Sequence, residues 1–200
     1  MALRQPLIVV LAGPNGAGKS TAAPSLLRDA LRVDEFVNAD TIAHGLSAFR
    51  AEQLAIAAGR IMLARLDALA RERASFAFET TLASSSFAPW LRALAARPPE
   101  RGLSRSHRFP LAARCGDRAG SGTRSGAMGG HNVPEDAIRR RYANGLRNFF
   151  GLYHDLPDSW RLWDGNALGG PRLIASKQAD DTDIVIIDEG RWRSLMEQTR

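Results

Sequence analysis

A single cysteine, Cys115, stands in 200 residues. That excludes an intrachain disulfide and any metal site built from several thiolates, and it suits a reducing compartment. Long apolar runs are missing too. The strongest near the start, "LIVVLA" (Leu7–Ala12), is far short of the ~20 residues that cross a bilayer. A glycine-rich loop follows it where a secretory leader would have a cleavage site. No other His or Cys stands at ligand spacing from His131, which excludes zinc there. The expected setting is the cytoplasm, with no membrane partner.

Neutral charge balance fails in one place. The net charge is +6, yet residues 101–127 alone hold six Arg and one Asp. The rest of the chain is close to neutral. Basicity confined to one segment weighs against a nucleic-acid partner, which a fold-wide basic face would favour. The segment, "RGLSRSHRFPLAARCGDRAGSGTRSGA", carries no apolar periodicity.

The remainder alternates strands with helices, as expected for one domain over residues 1–200. Leu7–Ala12 reads as a buried parallel strand. A helix should begin at Lys19 or Ser20 and run to about Leu31. "EFVNAD" (Glu35–Asp40) reads as a short strand and turn. Leu54, Ala58, Met62, Leu66 and Leu69 recur at helical spacing between Ser47 and Arg73. "SFAFETTLA" (Ser75–Ala83) is a second buried strand. Phe87, Leu91 and Leu94 mark a helix that "RPPE" ends. Asn132 and Pro134 suit a helix start, and Ile138, Tyr142, Leu146, Phe149 and Tyr153 form its apolar stripe. "SWRLWD", "PRLIAS" and "DIVIID" read as strands, and a closing helix falls around Trp192–Met196. The fold class is α/β: a parallel sheet with helices on both faces.

"GPNGAGKST" satisfies G-x-x-x-x-G-K-[ST] between a strand and a helix, the context that makes this phosphate-binding pattern specific. Gly13, Pro14, Asn15, Gly16, Ala17, Gly18, Lys19, Ser20 and Thr21 form the nucleotide-binding set. Glycines let backbone N–H groups close on phosphate oxygens, and the new helix adds its N-terminal dipole. Lys19 supplies a point charge to the phosphates and Ser20 a hydroxyl to Mg²⁺.

Other residues are candidates by position. Asp40 follows the second strand, where it either takes a proton from an attacking hydroxyl or caps the following helix. Glu79, with Thr80 and Thr81, ends an apolar strand, as a carboxylate serving Mg²⁺ or substrate would. Asp188 ends "IVIID" in the same way, but on a peripheral strand. Arg139, Arg140 and Arg141 share a helix and fan out by ~100° steps, so they cannot all meet one ligand. His131 is a proton carrier or a loop residue.

"GPNGAGKST", "FVNADTIA", "FETTLAS" and "GGHNVPEDAIRRRYANGLRNFF" follow one another in that order. Together they resemble the zeta-toxin-like P-loop kinases over most of the chain. These phosphorylate a hydroxyl of UDP-N-acetylglucosamine with ATP or GTP and Mg²⁺. The resemblance implies Lys19 and Ser20 at nucleotide and metal, and Asp40 as the base. It puts Glu79 and Thr81 at the acceptor or its metal shell, and Arg140 and Arg141 at phosphates. It also implies a small-molecule hydroxyl acceptor and an antitoxin partner. The acceptor itself does not carry over, because the lid and the C-terminal third depart from the toxins. Hydrolysis with water as acceptor is the alternative activity.

Residues 101–127 break the pattern. The family has an apolar strand and an Arg-bearing helix there. A contiguous block with sharp borders fits out-of-frame translation of a GC-rich gene; a basic insert is the alternative. The expected consequence is a sheet lacking one strand, an unanchored lid and poor phosphoryl transfer.

Overall fold

The computed structural model describes residues 6–15, 17–96, 110–115, 135–165, 167, 170–179, 181 and 183–199. Seven strands form one sheet. They are β1 (Ile8–Ala12), β2 (Glu35–Val37), β3 (Phe76–Thr80), β4 (Pro110–Cys115), β5 (Ser159–Asp164), β6 (Arg172–Lys177) and β7 (Ile184–Ile186). Their order is β2-β3-β1-β4-β5-β6-β7. The helices are α1 (Lys19–Ala23, continued through Pro24–Leu31), α2 (Ala39–Leu46), α3 (Ala55–Arg71), α4 (Phe87–Ala95), α5 (Glu135–Asn148) and α6 (Glu189–Glu197).

β1 lies inside the sheet, between β3 and β4, and is buried along its whole length. Its alternating side chains divide the core in two. Val9 and Leu11 pack with Ala23 and Leu27 of α1 on one face. Ile8, Val10 and Ala12 pack with Met62, Leu66 and Leu69 of α3 and Leu91 and Leu94 of α4 on the other. A strand covered on both faces needs apolar residues at every position, which is why Leu7–Ala12 is an unbroken apolar run. The α3 stripe holds as spaced: Ala58, Met62, Leu66 and Leu69 are all buried. In the continuation of α1 the hydrogen bonding widens to π pitch from Pro24 onward. Pro24 has no N–H for an α-helical bond, and a wider turn accommodates its ring.

The expected parallel sheet is present from β2 through β5, and β6 and β7 extend it, each antiparallel to its neighbours. The links from β5 to β6 and from β6 to β7 are too short for the crossover that a parallel pair requires. One expectation is corrected: the sheet does not lack a strand within 101–127. Pro110–Cys115 lies between β1 and β5, with Leu11 opposite Ala112 and Ala112 opposite Arg161. A central slot exposes two rows of unpaired backbone groups, and filling it satisfies both at once. That gain outweighs the poor strand propensity of the segment. Pro110 takes the first position, where a missing N–H is tolerated. The rest of 101–127, together with His131, Asn132 and Pro134, lies outside the described residues.

The far half of the sheet is tied by aromatic rings. Phe149 meets Trp160 of β5 edge-on at 5.5 Å, and Trp160 stacks on Trp192 of α6 at 6.1 Å between centroids.

Candidate active site

The C-terminal ends of β1, β3 and β2 lie side by side, the edge at which open α/β sheets bind ligands. Parallel register sets what meets there. Leu11 is opposite Glu79, and Val37 is opposite Phe78, which brings the next residue, Asn38, level with Glu79.

After β1 the chain turns through Gly13 (φ +145°) and Gly18 (φ +72°), backbone conformations that disfavour any Cβ. The Gly13 N–H donates to the Thr80 carbonyl at 3.1 Å and fastens the loop to the end of β3. No side chain caps α1, and its first turn holds no acidic residue. Its leading N–H groups therefore face the loop, as an anion would require. Pro14, Asn15, Ala17 and Thr21 stand in or beside this turn; Gly16 lies outside the described residues.

Lys19 is buried, with 7% of the residue exposed. Its Nζ donates to the carbonyls of Gly13 at 2.9 Å and Pro14 at 2.8 Å, and lies 3.3 Å from Oε1 of Glu79. Burial holds its pKa below the ordinary lysine range, while the charges of Glu79 and Asp40 oppose that shift. Oε2 of Glu79 accepts from Ser20 Oγ at 2.8 Å and from Asn38 Nδ2 at 3.1 Å. One carboxylate, at the end of β3, thus gathers Lys19 and Ser20 from a helix start and Asn38 from the end of β2. The Glu79–Ser20 pair offers two hard oxygen donors, the ligand type Mg²⁺ prefers, so the residues fit that ion.

Asp40 does not cap α2. Asn38 does, its Oδ1 accepting from the N–H groups of Asp40 at 2.7 Å and Thr41 at 3.2 Å. Asp40 occupies the first turn with its side chain exposed, near enough for its charge to act on Lys19. Asn38 was open to discovery as an Asn before a helical run, a preferred cap. Its donor to Glu79 follows only from strand register. Asp188, the other strand-end carboxylate, caps α6 beyond the edge strand β7. Its pKa is lowered, first by the Arg191 N–H and then by Arg172.

No family model and no curated protein sequence matches this chain. Solved structures do. One chain of the AvrRxo1-ORF1:-ORF2 complex with ATP matches at TM-score 0.68 and 14% identity, over 98% of this chain and 65% of that one. One from the PezAT chromosomal toxin–antitoxin system of Streptococcus pneumoniae matches at TM-score 0.60 and 14% identity, over 82% and 70%. A gluconokinase from Sinorhizobium meliloti matches at TM-score 0.52 and 18% identity, over 82% and 86%.

The fold is that of the P-loop kinases. The present chain spans about two thirds of the length of the AvrRxo1-ORF1:-ORF2 chain it matches. In this P-loop kinase fold the turn after β1 and Glu79 occupy adjacent strand ends. Two of the arginines pair within their own helix. Arg139 pairs with Glu135 at 2.6 Å and Arg140 lies 3.8 Å from Asp136, each one turn back on α5. Arg140 and Arg141 are exposed. Thr81 lies just past β3, its Oγ1 accepting from the Ala83 N–H at 3.4 Å.

The base of α5 is bound to this same loop. Gly145 sits so close to the Thr81 carbonyl that a Cβ would collide with it. Asn148 Nδ2 donates to the Leu82 carbonyl at 2.7 Å, and the Tyr153 hydroxyl donates to the Ser84 carbonyl at 2.8 Å. This half of α5 is thus fixed to the loop after β3; the lid expectation falls largely on residues 116–134, outside the described residues.

Proposed function

We propose that this chain is a zeta-toxin-like phosphotransferase. It moves the terminal phosphoryl group of ATP or GTP to a hydroxyl of a small molecule, a nucleotide sugar such as UDP-N-acetylglucosamine being the first candidate. The convergence of Lys19, Ser20 and Asn38 on Glu79, beside an uncapped helix start, carries the reading. The motif order and the kinase neighbours support it.

In this reading the N–H groups around residues 13–20 bind the phosphates. Lys19 leaves its carbonyl partners to meet them, and its charge offsets the negative charge that shifts during transfer. Ser20 and Glu79 would hold Mg²⁺, which would supply positive charge to neutralise the phosphates. Asp40 takes the proton of the acceptor hydroxyl as its oxygen attacks phosphorus and the nucleoside diphosphate leaves. Thr81 lines the acceptor side, and Arg140 or Arg141 reaches a phosphate when α5 closes.

Hydrolysis with water as acceptor is the second reading, favoured by the exposure of Asp40. Incubation with γ-labelled ATP, Mg²⁺ and a panel of nucleotide sugars separates the two. Label in an organic product supports transfer; free phosphate alone supports hydrolysis; neither, in folded protein, refutes both. An antitoxin partner belongs to the same proposal, since one neighbour comes from a toxin–antitoxin system. Growth arrest on expression, relieved by Lys19→Ala, would support it.

A further inference from the structure

Asn38 uses both ends of its amide. Oδ1 takes two backbone N–H groups of α2, and Nδ2 donates to Glu79. The flipped amide would set its NH₂ against two N–H donors and its oxygen against a carboxylate, so the network dictates the orientation. Capping alone does not call for an amide. Ser and Asp cap about as well as Asn, and Thr nearly so. Ionised Asp has no donor, and Ser and Thr have one short hydroxyl where Asn has an acceptor and a separate donor. What singles out Asn is therefore the bond to Glu79, on the same oxygen that takes Ser20. Through this one side chain, the helix bearing Asp40 and the carboxylate beside Lys19 share a rigid link.

We infer that Asn38 is a positioning residue for phosphoryl transfer, holding Glu79 and the Asp40 helix in mutual register through the two ends of its amide. The inference rests on the phosphotransferase reading. Asn38 touches neither phosphate nor acceptor in this scheme; it acts through Glu79. Its loss leaves nucleotide affinity in the absence of metal nearly unchanged, because Lys19 and the loop N–H groups remain. It frees one oxygen of Glu79 to turn away from Ser20, and transfer slows as alignment loosens.

The test is a double-mutant cycle with Asn38→Ser and Glu79→Gln, read three ways. Thermal midpoints report the cap: Asn38→Ser should stay within about 4 °C of wild type. Binding of a fluorescent ATP analogue, titrated with Mg²⁺, should show an unchanged affinity without metal and a several-fold higher Mg²⁺ requirement. Steady-state transfer should show kcat lowered about tenfold or more with the acceptor KM little moved. In the Glu79→Gln background, Asn38→Ser should lower kcat no further. Asn38→Asp keeps the cap but lacks the donor, so it should lose kcat as well and serves if Asn38→Ser folds poorly.

Additive effects in the cycle would overturn the inference. So would wild-type kcat and Mg²⁺ dependence in folded Asn38→Ser, or a kcat loss that only tracks lost stability. Wild-type protein that is folded yet binds no nucleotide would refute the phosphotransferase reading itself, a result that the wild-type arm reports separately.

Discussion

The ammonium of Lys19 is buried against two carbonyls and a carboxylate. Lys19→Ala should abolish binding of a fluorescent ATP analogue. It should also alter the response of stability to pH. With its pKa lowered by burial, the folded chain binds fewer protons here than the unfolded chain, between the lowered value and the ordinary one. Stability from this group therefore rises with pH across that window. Wild type relative to Lys19→Ala should gain stability as pH rises toward the ordinary lysine value, read from urea midpoints; a flat difference would contradict the burial argument. Asp40 makes a separate prediction. Asp40→Asn keeps the backbone N–H that Asn38 caps, so folding and nucleotide binding should persist while transfer falls roughly 10²–10⁴-fold. Persistent transfer would place the base elsewhere. The placement of Lys19 and Ser20 at the start of α1 was legible from the loop pattern, because that pattern sits between a strand and a helix. The part Asn38 plays was not, because its Glu79 partner is 41 residues away in sequence.

At the scale of elements, the helical stripes were readable because burial imposes the 3.6-residue period directly. Met62, Leu66 and Leu69 on α3, Leu146 on α5, and Phe149 and Tyr153 in the π-helical turn that follows it (Phe149–Tyr153) are all buried. The docking of α5 was not readable. Gly145 breaks no pattern, yet its lack of a Cβ is what admits the Thr81 carbonyl. Gly145→Ala should force α5 away from the loop after β3. Removing a glycine from a helix would ordinarily help, by up to about 1 kcal/mol. Here overpacking should win, with a net loss of roughly 1–3 kcal/mol in chemical denaturation. Because Thr81 sits on that loop, the acceptor KM should rise while nucleotide affinity holds. An unchanged acceptor KM would show that the loop does not line the acceptor.

For the whole molecule, strand order decides which candidates share a site. β3 beside β1 brings Glu79 to the glycine loop after β1, while β4, β5 and β6 separate β1 from the edge strand before Asp188. The same order puts Pro110–Cys115 at the centre of the sheet. Proline is excluded from the interior of a central strand, since it cannot donate to the ladder. Ala112→Pro should therefore cost roughly 2–3 kcal/mol and lower the thermal midpoint, whereas a surface insert would tolerate it. A neutral outcome would remove this segment from the sheet.

Local chemistry was determined by the sequence itself: the loop at residues 13–21, the apolar strand before it, the helix periods and the carboxylates at strand ends. These depend on neighbours within one turn or one strand, where spacing is geometry. Tertiary structure alone decided which strands adjoin, and so chose Glu79 over Asp188, joined Asn38 to Glu79 and seated α5 on Thr81. It also drew an unpromising segment into the central slot, because the backbone groups on either side had no other partners.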